Sequence, residues 1–115
     1  MGMAWSVILA AVLLMSGAAY AHPPSNMQVS YDKYSKTLRV KIDHPVTDTR
    51  SHFISEVKMS LNGAEVLDHK FKMQENEASH FLQYAIPDAE NGDTVRVEAF
   101  CNSFGKRFGE IKIER

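Results

Sequence analysis

Five histidines and a single cysteine are the side chains of this chain best suited to holding a transition metal. A thiolate with neutral imidazoles suits iron, copper or zinc, whereas calcium and magnesium take oxygen donors. His44 closes an alternating run in which Leu38, Val40 and Ile42 share one face, and by parity it lies on that face. Cys101 is in phase with Val95, Val97 and Ala99. Both sit where an apolar strand face runs out into a loop. His52 follows the polar stretch from Pro45 to Ser51 and precedes Phe53-Ile54, and His22 opens the segment His22-Pro23-Pro24. His69 and His80 fall in phase with Leu67 and Phe71, and with Leu82, Tyr84 and Ile86, so they read as structural histidines within strands. Taken singly, Cys101 is a small core residue, His44 a rim histidine and His52 a surface one. Spacing supports no Ser-His-Asp or Cys-His nucleophile, and no glycine-rich phosphate loop is present.

The elements that must position these residues are short and regularly spaced. The runs Met27–Asp32, Lys36–Asp43, Phe53–Leu61, Ala64–Met73, Ser79–Ile86, Thr94–Cys101 and Phe108–Glu114 read as strands, separated by turn residues. Asn62-Gly63 predicts a tight hairpin because both residues accept positive φ, and Asn91-Gly92-Asp93 predicts another turn. No stretch of this region shows helical period. About seven strands in this pattern predict an all-β fold, an immunoglobulin-like antiparallel β-sandwich. Pro45 to Ser51 is the longest polar connection and lies between His44 and His52, the kind of loop on which a sandwich displays functional groups.

Residues 1–21 read as a secretory signal peptide. They contain no charged side chain and hold an apolar run from Trp5 to Met15. Ser16-Gly17 interrupts that run, and Ala19 and Ala21 stand at the −3 and −1 positions of a cleavage site. The alternative is an uncleaved anchor, since about 18 weakly apolar residues just span a bilayer. Cleavage leaves residues 22–115, one domain with a modest core, exported to a periplasm or the extracellular space. No membrane association is expected after cleavage. The net charge of −1 carries no basic excess and argues against a nucleic-acid partner. The lone Cys101 has no partner for a disulfide within the chain, so it is a buried filler, an intermolecular partner or a metal ligand.

His44-Pro45-Val46, His52-Phe53-Ile54, the Asn-Gly hairpin and Cys101-Asn102-Ser103-Phe104-Gly105 occur in that order over most of residues 22–115. This series resembles the iron-binding domain of the desulfoferrodoxin and superoxide reductase family, whose pattern reads H-P-M, then H-aromatic-I, then C-N-x-H-G. The resemblance implies an immunoglobulin-like sandwich with a mononuclear non-haem iron centre, bound by four imidazoles and an axial cysteine thiolate. Carried over, His44 and His52 match the histidines of the first two motifs and Cys101 the thiolate. His22 corresponds to the family's first iron histidine by its distance ahead of His44. The implied activity is that of an oxidoreductase which passes one electron to superoxide, with an electron donor protein as partner. Three departures stand out. Phe104 occupies the place of the last histidine, the gap between His44 and His52 holds seven residues and is longer than the family's, and the family's lysine has no counterpart.

Cleavage after Ala21 would give His22 a free α-amino group, which with a ring nitrogen forms a bidentate chelate that replaces the missing nitrogen and also suits copper. Two other readings stand beside the iron domain: a metal-free sandwich serving as a binding or accessory module, and a periplasmic copper-binding protein built around His22.

Overall fold

The computed structural model describes residues 22–114. The segment read as a signal peptide lies outside the described residues. Seven strands form: β1 (Asn26–Asp32), β2 (Thr37–Asp43), β3 (Ile54–Leu61), β4 (Ala64–Lys70), β5 (Ser79–Ala85), β6 (Thr94–Cys101) and β7 (Lys106–Lys112). They make two antiparallel sheets, ordered β1-β2-β5 and β4-β3-β6-β7. The sheets pack face to face as a β-sandwich, so the all-β expectation holds. Among the described residues no helix is long and apolar enough to cross a membrane.

Alternation decides which face each strand buries. Leu38, Val40 and Ile42 are fully buried on β2, while Arg39 and Lys41 between them point to solvent. Val95, Val97 and Ala99 do the same on β6 and meet Val57 and Met59 of β3, with Leu82, Ala89 and Ile113 completing the core. At about 25 cal/mol per Å² of apolar surface, this shared interior is the main favourable contribution to folding. Asn62 (φ 51°) and Gly63 (φ 88°) turn the β3–β4 hairpin in the conformation expected of that dipeptide. The Asn62 amide then bonds Asp93 Oδ1 and accepts from the Thr94 N–H, which ties the hairpin tip to the start of β6.

Several strand ends differ from expectation, most by one residue, and two of the larger differences build the site. β4 stops at Lys70 rather than Met73, because the chain from Phe71 to Ala78 leaves the sheet. β7 begins at Lys106 rather than Phe108, because the Cys101 N–H donates to the Gly105 carbonyl (3.0 Å) and closes a tight turn from β6. Its first two residues, Lys106 and Arg107, are both charged and so carry no apolar signal. A bulge also interrupts the β3–β6 ladder. Ile54 pairs with Cys101 and Glu56 with Phe100, leaving Ser55 over. The extra residue shifts the alternation so that Ile54 and Val57, three apart, are both fully buried.

Candidate metal centre

His44 follows the last residue of β2 and continues its inward parity, which leaves it fully buried. Cys101 ends β6 on the inward face and is 9% exposed. His52 comes from the loop between β2 and β3. That loop is shaped by Asp48, whose carboxylate accepts the Arg50 N–H (2.9 Å) and whose carbonyl accepts the His52 N–H (3.0 Å). The Arg50 N–H bond first, then bonds from Ser51 and the Arg50 charge, hold the Asp48 carboxyl below its usual range.

Asn102 then latches this loop to the end of β6. Its N–H donates to the Phe53 carbonyl, its Oδ1 accepts the Phe53 N–H, and its Nδ2 donates to the Ser51 carbonyl. The latch brings His52 Nε2 to 3.1 Å from Cys101 Sγ, although the residues are 49 apart in sequence. One ring nitrogen each from His44 and His52 lies with Cys101 Sγ in a set whose atoms are all within 4.8 Å of one another. The His44 and His52 ring centroids are 4.7 Å apart.

His22 lies beside this set, although its ring nitrogens are not part of it. Its ring centroid is 5.2 Å from that of His44 and 5.2 Å from that of His52. The segment behind it is pinned at three points: Arg107 Nε donates to the Pro24 carbonyl (2.8 Å), the Ser25 N–H to the Asp43 carbonyl (2.8 Å), and Pro23 packs on Gly105. Gly105 has φ +79°, and a Cβ there would stand 2.8 Å from Pro23 Cβ. Gly105→Ala is therefore expected to cost about 1–2 kcal/mol for the left-handed backbone alone and to push Pro23, with His22, away from the cluster. Thermal unfolding reads the first effect and proton NOEs between the His22 and His52 rings the second. Unchanged NOEs would mean that His22 is held some other way.

The electrostatics favour a neutral, ligating ring at His52. Burial, followed by the neighbouring His44 and then His22, lowers the His52 pKa below its ordinary value of 6.5. Metal binding needs the deprotonated ring, so this shift lowers the competition from protons. His44 Nδ1 lies 2.7 Å from Gln74 Oε1, and His44 Nε2 is buried without a hydrogen-bond partner. His22 Nδ1 donates to the Pro23 carbonyl (3.0 Å), which leaves Nε2 as the nitrogen available to a ligand. The Ser103 N–H points at Cys101 Sγ (3.4 Å), the kind of contact that tunes a metal thiolate.

His44, His52 and Cys101 thus bring their ligand atoms together with the His22 ring alongside, and the other two histidines serve elsewhere. His69 Nδ1 is 3.1 Å from the Tyr84 hydroxyl, whose pKa burial pushes up to about 12. His80 is buried and accepts the Glu75 N–H at Nδ1 (3.0 Å), which anchors the chain between β4 and β5. Burial is the largest cause of its pKa lying below 6.5. The unfolded chain then takes up this proton first as pH falls. The stability His80 contributes is complete above about pH 6.5, is lost as pH drops below it, and levels off once the folded-state value is passed. His52 acts in the same direction. The urea midpoint is expected to fall between about pH 8 and about pH 5, less steeply in His80→Asn. Equal slopes in the two proteins would remove His80 as a cause.

Gln74 is the site residue that sequence reasoning missed. It lies in the connection between Met73 and Ser79, a stretch without strand period, yet it is fully buried. Phe104, in contrast, is 58% exposed. No protein-family model matches this chain, and no curated protein or solved structure does either.

Proposed function

We propose that this protein is an exported, mononuclear transition-metal domain with a redox role, its ion held by His22, His44, His52 and Cys101. The observation that carries the reading is the convergence of His44, His52 and Cys101 ligand atoms within 4.8 Å, combined with a buried, unpartnered Nε2 on His44. A buried nitrogen lone pair with nothing to accept is costly in a folded protein unless something binds it. Metal–nitrogen bonds of about 2.0 Å and metal–sulfur bonds of about 2.3 Å let adjacent ligands of one ion stand about as close as His52 Nε2 and Cys101 Sγ do. Three imidazoles and a thiolate fit iron, copper and zinc and disfavour calcium.

Iron is the reading we favour, on the family resemblance of the three motifs. The strand orders β1-β2-β5 and β4-β3-β6-β7 are compatible with the immunoglobulin-like architecture that goes with it. Iron in such surroundings supplies one-electron chemistry, with superoxide as the acceptor and an electron donor protein as the source. The chain's own contributions are separable. Cys101, with the Ser103 N–H on its sulfur, sets electron density at the centre. His22 closes the site from the surface side, and the exposed Phe104 contributes no ligand. An amine–imidazole chelate for copper would need His22 Nδ1, which here is engaged by the Pro23 carbonyl. That contact favours the monodentate role.

The test is elemental analysis of protein purified without chelators. Stoichiometric iron, with a thiolate-to-iron absorption band, is the expected result. Stoichiometric copper would move the assignment to the copper reading. Protein that neither retains nor takes up iron, copper or zinc would leave the metal-free module, which the replacement of the last family histidine by Phe104 favours.

A further inference from the structure

Gln74 is a fully buried amide in the chain between β4 and β5, and its hydrogen-bonding capacity is completely used. Nε2 donates to the His44 carbonyl (2.7 Å) and to the Asn76 carbonyl (2.9 Å). Oε1 lies 2.7 Å from His44 Nδ1 and accepts the Ile54 N–H (3.3 Å). A primary amide has two donor hydrogens and two acceptor lone pairs, so nothing is left over. The same bonds fix which way the amide points. Flipped, its NH₂ would face the Ile54 N–H while its oxygen faced two carbonyls, and three of the four contacts would turn repulsive. With Oε1 held as an acceptor, His44 Nδ1 must carry the hydrogen, and the lone pair falls on Nε2, the buried atom with no partner among the described residues.

We propose that Gln74 is the positioning residue of the metal centre: it locks His44 in the Nδ1–H tautomer and so presents Nε2 to the ion. The proposal rests on the metal-binding reading above. A metal-ligating histidine usually donates its other ring N–H to a fixed acceptor, which sets ring orientation and raises ligand basicity. Gln74 meets that requirement from a distant part of the chain, and its own backbone is held independently. The Gln74 N–H donates to the Thr49 carbonyl (3.0 Å), in the loop that carries His52. The next residue, Glu75, is tied to β5 through its N–H on His80 Nδ1 and its carboxylate on the Phe81 N–H. One residue therefore couples the loop after β4 to the ligand His44 through its side chain and, through its backbone N–H on Thr49, to the loop of His52.

Two measurements test this. The first uses nitrogen NMR of His44 in isotopically labelled, metal-free wild-type protein, and the expected signals are a protonated Nδ1 and a bare Nε2. A bare Nδ1, or averaging between tautomers, would overturn the proposal without any variant. The second titrates cobalt(II) into wild type, Gln74→Met and Gln74→Glu, following the thiolate-to-cobalt band. Gln74→Met keeps the length but not the acceptor. It is expected to lose the tautomer preference and bind cobalt about 10–100-fold more weakly. Gln74→Glu keeps an acceptor facing His44 Nδ1; with its other oxygen protonated and donating to one of the His44 and Asn76 carbonyls, it is expected to retain the tautomer and to bind cobalt more tightly than Gln74→Met. Wild-type affinity in a folded Gln74→Met protein would overturn the positioning role. Absence of cobalt binding by wild type would overturn the metal reading instead, and the NMR measurement would still decide the tautomer.

Discussion

Cys101→Ser is expected to abolish the thiolate-to-metal absorption band and to weaken cobalt(II) binding by more than the roughly 10–100-fold typical of a residue that only supports a ligand. A serine hydroxyl does not ionise near neutral pH, so the site would exchange a soft anionic donor for a neutral oxygen. The fold should tolerate the change. Serine is close to cysteine in size, Cys101 lies at the end of β6 rather than mid-core, and His52 Nε2 at 3.1 Å from the sulfur can bond a hydroxyl instead. The expected cost is on the order of 1 kcal/mol, the worth of one ordinary hydrogen bond or a little lost apolar burial. Affinity lost with the thermal midpoint nearly unchanged identifies Cys101 as a ligand. Equal affinity in the two proteins would make it a packing residue and remove sulfur from the centre.

Ile54→Ala should give the largest loss of stability among the site-adjacent positions. Ile54 is fully buried at the start of β3, pairs with Cys101 across the bulge, and gives its N–H to Gln74 Oε1. Removing its branched side chain takes away apolar burial and leaves a cavity that the bulged ladder, already fixed on both sides, fills poorly. Such truncations cost about 2–5 kcal/mol, a large share of the 5–15 kcal/mol typical of a whole domain. The urea midpoint should fall with the slope unchanged. Phe108→Ala is the control. Phe108 is 55% exposed and lies under the Arg96 guanidinium, 3.7 Å from ring centroid to charge, an arrangement worth about 0.5–1 kcal/mol at the surface. Comparable losses in the two variants would mean that Ile54 does not anchor the core beside the site.

Much of this organisation was readable along the chain. Two-residue alternation identified β2 and β6, and the same parity carried forward placed His44 and Cys101 on the inner face. Asn62-Gly63 announced its hairpin through the conformations those residues allow. His52 was less legible, since nothing local distinguishes it from a solvated loop histidine. Asn102 draws it inward from 49 positions away in sequence from Phe53. Gln74 was not legible at all. Its burial depends on His44, 30 residues distant, and on Ile54, 20 residues distant, both of which must be in place before an amide there is cheaper inside than in water.

The sequence by itself determined that the chain is built from short alternating strands, and it named His22, His44, His52 and Cys101 as the residues able to hold a transition metal. Strand period and turn chemistry are local properties, written in neighbouring residues. The tertiary structure alone decided that His44, His52 and Cys101 bring their ligand atoms together, with the His22 ring beside them. It also decided that His44 turns a buried, unpartnered Nε2 away from Gln74, and that His22 offers Nε2 rather than the Nδ1 needed for a chelate. The physical reason is that a polar side chain's orientation is set by the hydrogen-bond partners that close around it, and those partners come from distant strands and loops that only the fold brings together.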